Sequence, residues 1–481
     1  MKNSVNLDTL LRDTSAEVID KAIRFKPTRN FLTRQGEKRL YHKFVEVNRD
    51  RVPQKVQEMR CRVMENLLAS INRAIEEGRL SDHVRKKAIK TFVGNVLTGE
   101  TDRMAPFREK HGFNPPSLLT ISPTKRCNLR CKGCYAASSS AHANTMDYET
   151  LTRLLWDKHN EWGSNFTVIS GGEPLMYKSG EKDIFDIFHE HAHNYFLMYT
   201  NATLINDEVA RKLAEAGNVT PAISVEGWEK ETDARRGKGV FKRILQAMEN
   251  LRNHGVPFGI SVTATRENAE TILSDEFMDY FFDTQGAIYG WIFQYMPIGR
   301  SYTVDLMVTP EQREWMLEKE MDLIYSQDRF LVDFWNGGPL SLGCISAGKP
   351  GGYFYVDWDG NIAPCVFFPY GIDNLYDIYE RGETISAPLF TDYFKQLREW
   401  QDTYVGRYSD KPTHNLFLPC PIKDHHSFAE QVIQQNDVWP MDESAAKALH
   451  DKEYHRRMRA HDEELKKRLD PLWEEKMVKS G

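Results

Sequence analysis

Residues 118–134 read LLTISPTKRCNLRCKGC, an apolar run followed closely by three clustered cysteines. The run Leu118–Ser122 predicts a buried strand, and Cys127, Cys131 and Cys134 lie in the loop that follows it. Three thiolates on one short loop can bind three irons of a [4Fe–4S] cluster and leave the fourth iron open. A structural zinc site would need a fourth protein ligand, and none lies at a suitable local spacing. The stretch therefore favours an iron–sulfur site at the end of a strand.

The composition of the whole chain excludes several classes of protein. The chain has 481 residues, 41% of them hydrophobic, and a formal net charge of −6. This length allows about two to four domains, and the mild acidity argues against a dedicated nucleic-acid binder. No run approaches the roughly 18 consecutive apolar residues of a membrane-spanning helix. The first eight residues lack the apolar run of a secretory signal, so we expect a cytoplasmic protein, in which clustered cysteines favour metal or redox chemistry over disulfides.

Apolar runs alternate with amphipathic segments through the middle of the chain, which predicts an α/β fold with a parallel sheet, open or closed into a barrel. In such sheets, functional sites form at the carboxyl ends of the strands. The six predicted strands are Leu118–Ser122, Phe166–Ser170, Phe196–Thr200, Thr220–Val225, Phe258–Thr263 and Trp291–Met296. The predicted helices between them are Tyr148–Trp162, Asp183–Ala192, Asp207–Ala216, Val240–Asn253 and Asn268–Phe281. After about Asp305 we expect the alternation to end.

Charge and pattern divide the chain into four predicted parts: 1–115, 116–325, 326–430 and 431–481. The first is helical and basic, with 24 Lys and Arg against 15 Asp and Glu. It is either a helical cap packed on the core or a binding surface for an acidic partner or an anionic membrane. The third contains a β-hairpin around Asp359-Gly360, a dipeptide that suits a tight turn. The fourth is a charged helical tail.

Three further motifs follow predicted strands of the core. Gly171-Gly172-Glu173-Pro174 follows the second strand; its glycines allow a close backbone approach to a ligand, and the carboxylate of Glu173 can bind an ammonium group. Alone, this motif would be read as a turn. Thr200–Ile205 follows the third strand. Ser224 ends the fourth, with Arg236 twelve residues later.

Together with the cysteine loop, these motifs resemble the radical S-adenosylmethionine (radical SAM) superfamily over about residues 117–300. The resemblance implies a partial (β/α)6 barrel, similar to a TIM barrel, in which Cys127, Cys131 and Cys134 bind a catalytic [4Fe–4S] cluster. It also implies S-adenosylmethionine contacts at Tyr135, Gly171, Gly172, Glu173, Pro174, Asn201, Ser224 and Arg236. Arg235 is an adjacent alternative to Arg236. The family often has an aromatic residue where this chain has Gly133, so either Tyr135 takes that place or the adenine rests on backbone alone.

A second resemblance lies further along the chain. Cys344-x15-Gly360-x4-Cys365 resembles the opening of the auxiliary-cluster domain called SPASM, or of its shorter relative called twitch. With Cys420 as the one cysteine left in this part of the chain, the resemblance implies a single auxiliary [4Fe–4S] cluster bound by Cys344, Cys365 and Cys420. Its fourth ligand is Asp424, His425 or His426, or else one iron stays open.

The resemblance implies that the cluster, reduced by a protein such as flavodoxin or ferredoxin, cleaves S-adenosylmethionine. The resulting 5′-deoxyadenosyl radical then abstracts hydrogen from a substrate. The substrate is a peptide, a small molecule or a lipid. One alternative is a maturase of ribosomal peptides or proteins. Another is an enzyme of lipid or anionic substrates, in peripheral membrane contact through the basic N-terminal region. The non-enzymatic alternative is an iron–sulfur sensor or scaffold.

Overall fold

The structure is a computed structural model that describes residues 16–98, 100–406 and 412–479. The first eight residues, on which the expectation about a secretory signal depends, lie outside these ranges. Among the described residues, no helix combines the length and the apolar character needed to cross a membrane.

A ten-stranded sheet forms the centre of the molecule. All six strands predicted from the sequence are present, with ends within two residues of the expected positions. The strands are β1 (Leu118–Ile121), β2 (Phe166–Ile169), β3 (Lys178–Ser179), β4 (Lys182–Asp183), β5 (Tyr195–Thr200), β6 (Val219–Val225), β7 (Gly259–Ala264), β8 (Gly290–Gln294), β9 (Leu331–Asp333), β10 (Tyr355–Val356), β11 (Asn361–Ala363), β12 (Tyr370–Gly371), β13 (Asp373–Asn374) and β14 (Trp439–Pro440). Ten of these strands form the large sheet, in the order β13-β11-β10-β1-β2-β5-β6-β7-β8-β9. The other four form two small sheets, β12 with β14 and β3 with β4.

The parallel part of the sheet is longer than the sequence predicts. The helix Pro310–Ser326 and strand β9 add one more unit beyond Asp305, and β9 pairs in parallel with β8. The sequence does not reveal this strand because it is only three residues long. Seven parallel strands, β1, β2 and β5 to β9, therefore lie side by side.

The hairpin predicted around Asp359-Gly360 is present as β10 and β11, although both strands are shorter than expected. Gly360 has a φ of +80° in the turn, and a Cβ there would come within 2.8 Å of the Tyr376 ring. Strand β10 also pairs in parallel with β1, so the hairpin extends the sheet of the core.

Each of the six predicted strands contributes residues from one face to a single cavity. These residues are Leu118, Thr120, Phe166, Val168, Leu197, Tyr199, Ser224, Ser261, Thr263, Trp291 and Phe293. Because successive strand residues point to opposite faces, a sheet that presents one face of six strands to one cavity must curve around it. Within the described residues, the edge strands β9 and β13 do not pair with each other. The fold is therefore a partial barrel, as expected.

Helices cover the outer face of the sheet. They also form the N-terminal and C-terminal regions that the structure describes. Three of the predicted core helices have the expected ends, whereas Asn268–Phe281 is broken because Ser274 caps a new helix by accepting a hydrogen bond from the Phe277 N–H. The α-helices are Ala16–Arg24, Lys26–Tyr41, Gln54–Glu76, Asp82–Ala88, Glu100–Arg103, Ala105–His111, Tyr148–Trp162, Ile184–Glu190, Asp207–Ala216, Glu229–Arg236, Val240–Asn253, Ala269–Ile272, Asp275–Asp279, Pro310–Ser326, Gly338–Ser341, Leu375–Glu380, Asp392–Val405, His426–Gln435, Glu443–Ala448 and Lys452–Trp473. Wider π-helical turns are His42–Glu46, Ile89–Thr98, Tyr280–Thr284 and Glu474–Val478, and 3₁₀ turns are Pro174–Met176, Val304–Leu306 and Ala387–Phe390.

The N-terminal helix Gln54–Glu76 packs against the core and the C-terminal helix. Its residues Val56, Met59 and Val63 share a buried cluster with Leu317, Ile324, Leu465 and Trp473. Further along, the buried Asn66 donates hydrogen bonds to the carbonyl oxygens of Ile324 (2.8 Å) and Arg329 (3.0 Å). The two ends of the chain thus cover the same side of the barrel.

Candidate functional site

The cysteine loop is attached to the ends of several other strands. The Lys132 N–H donates to the Arg235 carbonyl (2.9 Å), at the end of the helix Glu229–Arg236 that follows β6. Beyond β8, the Arg300 N–H donates to the Cys134 carbonyl (2.9 Å) and its Nε donates to the Cys131 carbonyl (3.0 Å). The loop therefore has a fixed position at the carboxyl edge of the barrel.

Cys127, Cys131 and Cys134 all line the central cavity, which has a volume of about 260 Å³. Hydrogen-bond donors approach two of the sulfurs: the Leu129 N–H lies 3.4 Å from Cys127 Sγ, and Arg236 Nη1 lies 4.0 Å from Cys131 Sγ. Burial raises the pKa of Cys127 to about 12, so the thiolate form there requires a bound cation. Three soft ligands beside one cavity, with donors to stabilise thiolates, fit an iron–sulfur cluster.

The Gly171-Gly172 turn packs directly on the cysteine loop. The Gly172 N–H donates to the Thr124 carbonyl (2.9 Å), and the Glu173 N–H donates to the Arg126 carbonyl (2.7 Å). A Cβ on Gly172 would lie 2.1 Å from the Arg126 oxygen. The second glycine is thus required by the approach of the loop backbone. Both glycines line the cavity.

The Glu173 side chain is fully buried and lies behind the cavity wall. Its carboxylate accepts hydrogen bonds from the Thr200 hydroxyl (2.7 Å), the Asn201 N–H (2.8 Å) and the Leu175 N–H (3.3 Å). Burial raises its pKa, while these donors lower it, and the net shift is upward. In this arrangement Glu173 joins the ends of β2 and β5, and the buried Pro174 begins the next 3₁₀ turn.

Asn201 connects β5 to the cysteine loop. Its amide donates to Asn128 Oδ1 (2.9 Å) and lies 3.8 Å from Cys127 Sγ. Ala202, where the family usually has glycine, has a φ of +60°, and its N–H donates to the Thr200 hydroxyl (3.0 Å). The left-handed backbone explains why glycine suits this position.

Ser224, Arg235 and Arg236 all line the cavity. Both guanidinium groups bind the same oxygen of the buried Glu226, at 2.5 Å from Arg235 Nη1 and 2.8 Å from Arg236 Nε. Burial opposes the charge of Arg236, but Glu226 and the nearby thiols more than offset it, so its pKa stays above the ordinary value. Arg236 approaches Cys131, whereas Arg235 Nη2 donates to the Gly133 carbonyl (3.4 Å).

Two tyrosines, Tyr135 and Tyr295, lie close to Gly133, the position that is often aromatic in the family which the sequence resembles. Gly133 has a φ of +63°, and a Cβ there would lie 2.6 Å from the ring of Tyr295, so Tyr295 fills the space beside it. Tyr135 also lines the cavity, and its hydroxyl accepts a hydrogen bond from the Gly171 N–H (3.1 Å). Tyr135 and Tyr295 are both available to contact an adenine.

The later cysteines Cys344, Cys365 and Cys420 lie close enough for Cys344 to raise the pKa of the other two thiols. Burial is the larger cause, and it raises the pKa of Cys365 to about 12. The Tyr353 hydroxyl lies 3.0 Å from Cys365 Sγ, and the Lys423 N–H donates to Cys420 Sγ (3.5 Å). As in the first site, clustered thiols that are buried or half-buried fit a bound metal cluster.

The three residues considered as a fourth ligand each have protein partners. Asp424 forms a fully buried ion pair with Arg313 and accepts a hydrogen bond from the Cys420 N–H (3.1 Å). His425 Nε2 donates to the Leu418 carbonyl (3.0 Å). His426 Nδ1 donates to the Ile422 carbonyl (3.3 Å). This arrangement favours the alternative in which one auxiliary iron stays open.

The first set of cysteines lines the central cavity, and residues adjacent to two of the later cysteines line it too. Ile345 and Val366, the residues after Cys344 and Cys365, line it, as does Tyr353. The walls between the two sets are aromatic, with Phe293, Phe334 and Phe367 in mutual ring contact.

Sequence reasoning missed three features of the site. Glu226 follows Ser224 closely, but only the fold shows that it holds both arginines. Tyr295 belongs to the segment Phe293–Pro297, and aromatic residues at a strand end are more typical of a core than of a pocket. Lys423 was not considered; it is fully buried and donates to Gln294 Oε1 (2.8 Å), on the cavity wall.

Residues 121–275 match the family described as the radical SAM superfamily. Mycofactocin maturase MftC of Mycolicibacterium smegmatis is 30% identical over 310 residues, which cover 61% of this chain and 75% of that protein. An AdoMet-dependent heme synthase of Oleidesulfovibrio alaskensis is 26% identical over 63% of this chain and 82% of its own length.

Solved structures agree on the fold. Streptococcus suis SuiB bound to S-adenosylmethionine has a TM-score of 0.50 and 17% identity, covering 62% of this chain and 71% of that chain. SuiB bound to precursor peptide SuiA also has a TM-score of 0.50, at 18% identity, covering 62% of this chain and 70% of that chain. The family match, the related maturase and the three-cysteine loop at the edge of a partial barrel agree: the chain belongs to the radical SAM superfamily of enzymes.

Proposed function

We propose that this enzyme modifies a peptide or protein substrate by radical chemistry, using a catalytic cluster on Cys127, Cys131 and Cys134. An auxiliary cluster on Cys344, Cys365 and Cys420 assists it. The peptide class is supported by the similarity to a maturase, MftC, and by the fold shared with SuiB, a protein solved with a precursor peptide. The observation that carries the proposal is that Cys127, Cys131 and Cys134 line a cavity whose wall also contains Ile345 and Val366, the residues next to Cys344 and Cys365.

When bound, a reduced [4Fe–4S] cluster with S-adenosylmethionine supplies a 5′-deoxyadenosyl radical that removes hydrogen from a substrate. The residues of the chain orient S-adenosylmethionine. Arg236, held by Glu226, presents its guanidinium fork to a carboxylate, and Ser224 presents a hydroxyl on the neighbouring strand end. Gly171 and Gly172 line the same cavity.

The cavity wall also protects a reactive species. Tyr199, Trp291, Phe293 and Phe334 give the cavity an aromatic lining, which helps to exclude water. Tyr135 and Tyr295 bracket Gly133 at the other end and are our proposed adenine contacts. Cys344 and Cys365 lie next to the wall residues Ile345, Tyr353 and Val366, which supports our proposal that an open auxiliary iron accepts an electron or binds the substrate.

The test is anaerobic reconstitution of the full chain, with iron counted and 5′-deoxyadenosine measured after adding dithionite and S-adenosylmethionine. We expect roughly eight irons per chain, the sum of two four-iron clusters, and cleavage of the cofactor. Cys127→Ala should remove about four irons and abolish cleavage. Cys61→Ala is the matched control, because this buried thiol lies in the N-terminal helix near Glu65, and it should change neither quantity.

Two outcomes would overturn parts of the proposal. Cofactor binding without cleavage in any condition, with flavodoxin or ferredoxin as alternative reductants, would favour the sensor alternative. For the substrate class, turnover of a tetrapyrrole and of no peptide would favour the chemistry of the related heme synthase.

The peripheral-membrane alternative has less support. Several basic side chains of the N-terminal helices are paired with carboxylates, among them Arg24 with Asp20, Lys26 with Glu76, Arg60 with Asp50 and Arg73 with Asp283. Such pairing leaves less positive charge for lipid headgroups. Co-sedimentation with anionic liposomes at low salt would restore this alternative.

A further inference from the structure

His426, Glu430 and His455 form a cluster of potential metal ligands outside the cysteine sites. One ligand atom from each lies within 4.8 Å of the others. His426 is 5% exposed, and the side chains of His455 and Glu430 are 14% and 19% exposed. The three residues come from two helices, His426–Gln435 and Lys452–Trp473, that pack against each other.

Backbone contacts fix the tautomers of both histidines. His426 Nδ1 lies 3.3 Å from the Ile422 carbonyl, and His455 Nε2 lies 3.2 Å from the Leu449 carbonyl. A carbonyl oxygen can only accept, so these two nitrogens carry the protons. His426 Nε2 and His455 Nδ1 therefore both hold lone pairs, and they face each other across 2.8 Å. Two lone pairs at that distance repel unless a cation or a proton lies between them.

The third ligand supplies the negative charge. Glu430 Oε1 lies 3.3 Å from His455 Nδ1. The other oxygen, Oε2, binds Arg459 Nη1 at 2.6 Å, which orients the carboxylate and leaves Oε1 directed at the histidines.

We propose that His426 Nε2, His455 Nδ1 and Glu430 Oε1 bind a zinc ion. Two imidazoles and one carboxylate are a common zinc donor set, and ligand atoms about 2.0–2.1 Å from a tetrahedral zinc lie roughly 3.3 Å apart. The backbone carbonyls behind both rings are the outer contacts that orient metal-binding histidines. The spacing of 2.8 Å and 3.3 Å between the inner atoms requires only small side-chain movements to fit.

The proposed site opens onto a second cavity of about 280 Å³, which all three ligands line. Three protein ligands leave a fourth position, which would take water or an oxygen or nitrogen of a bound molecule. Phe367 lines this cavity and the central one, so the two are separated by a single side chain layer. His426 is also one of the candidate fourth ligands of the auxiliary cluster, but its Nδ1 donates to the Ile422 carbonyl and its Nε2 faces His455, so the zinc site does not depend on the proposed radical function.

The test measures zinc in the full chain with its iron–sulfur clusters in place, after dialysis against buffered Zn²⁺. We expect about one zinc per chain, with nitrogen and oxygen scatterers at about 2.0–2.1 Å in the zinc K-edge spectrum. His455→Ala should weaken zinc binding at least 10-fold and leave iron content unchanged. His450→Ala, an exposed histidine on the rim of the same cavity, is the matched control and should bind zinc as the wild type does.

Three results would overturn the proposal: no zinc in the wild type, equal zinc binding by His455→Ala, or sulfur scatterers at about 2.3 Å, which would place the zinc on cysteines. If His455→Ala loses iron and therefore its fold, Glu430→Gln replaces it. That variant keeps the size of a partly exposed side chain, and it too should weaken zinc binding.

Discussion

Arg235 and Arg236 are adjacent, bind the same carboxylate and line the same cavity, so a substitution must decide which of them holds the cofactor carboxylate. We expect Arg236→Lys to weaken S-adenosylmethionine binding at least 10-fold, because lysine lacks the planar fork that matches a carboxylate. Arg236 is the better candidate since its Nη1 reaches toward Cys131. Titration calorimetry of the cluster-loaded protein measures the change.

Arg235→Lys is the matched control, and its effect should be smaller. Arg235 donates to the Gly133 carbonyl, so its role is to hold the cysteine loop. A larger loss of binding in Arg235→Lys than in Arg236→Lys would shift the assignment by one residue.

The second prediction at this scale concerns Gly172. A Cβ there would meet the backbone oxygen of Arg126 at 2.1 Å, and backbone cannot move aside as a flexible side chain can. We expect Gly172→Ala to separate the turn from the cysteine loop, to cost roughly 1–3 kcal/mol and to lower the iron content of the core site. Gly180→Ala is the control: its φ is +59°, but its Cβ would meet nothing within 4 Å, so iron content should not change.

At the scale of elements, the β10–β11 hairpin depends on one buried carboxyl group. Asp357 is 3% exposed and accepts hydrogen bonds from the Asn361 N–H and the Asp359 N–H, each at 2.9 Å. Burial raises its pKa to about 6 from 3.8, so the folded protein binds a proton that the unfolded chain has lost. The stabilisation from this group is present below about pH 4 and is lost as the pH rises to about 6.

We therefore expect the wild type to lose about 2–3 kcal/mol between pH 4 and pH 6 relative to Asp357→Asn, which cannot titrate. Urea denaturation of the cluster-free protein at the two pH values measures it. Asp359→Asn, at an exposed position of the same turn, should keep the wild-type pH dependence. A pH dependence unchanged in Asp357→Asn would contradict the assignment.

The elements also show where sequence reasoning reaches its limit. The strand–helix alternation was readable because each buried strand is a continuous apolar run, and helices such as Tyr148–Trp162 have the expected ends. Strand β9 was missed because three residues carry no pattern. The pairing of β10 with β1 was missed because it joins segments more than 200 residues apart. The cysteine loop was readable as a local motif. The hydrogen bond from the Thr200 hydroxyl to the Glu173 carboxylate was not, because it joins two strand ends that only the fold brings together.

At the scale of the whole molecule, the helices at the two ends of the chain support the barrel from one side. Gln54–Glu76 and Lys452–Trp473 share a buried cluster with Pro310–Ser326, the helix that precedes β9. The same C-terminal helix carries His455, and its neighbour carries His426. The proposed zinc would therefore link the C-terminal helix to the segment that follows Cys420.

The last prediction concerns the division of labour between the two cysteine sets. The proposed cofactor contacts, including Ser224 and Arg236, lie on the strands and helices of the barrel, whereas Cys365 follows the hairpin and precedes Val366, a residue of the cavity wall. We expect Cys365→Ala to lower the iron content by about four per chain and to leave cofactor cleavage, without substrate, within about twofold of the wild type. With substrate, it should form 5′-deoxyadenosine without modified product. Iron analysis and mass spectrometry of both products measure these quantities. Loss of cleavage would mean that the auxiliary cysteines maintain the catalytic cluster, and unchanged iron would mean that they bind no cluster at all.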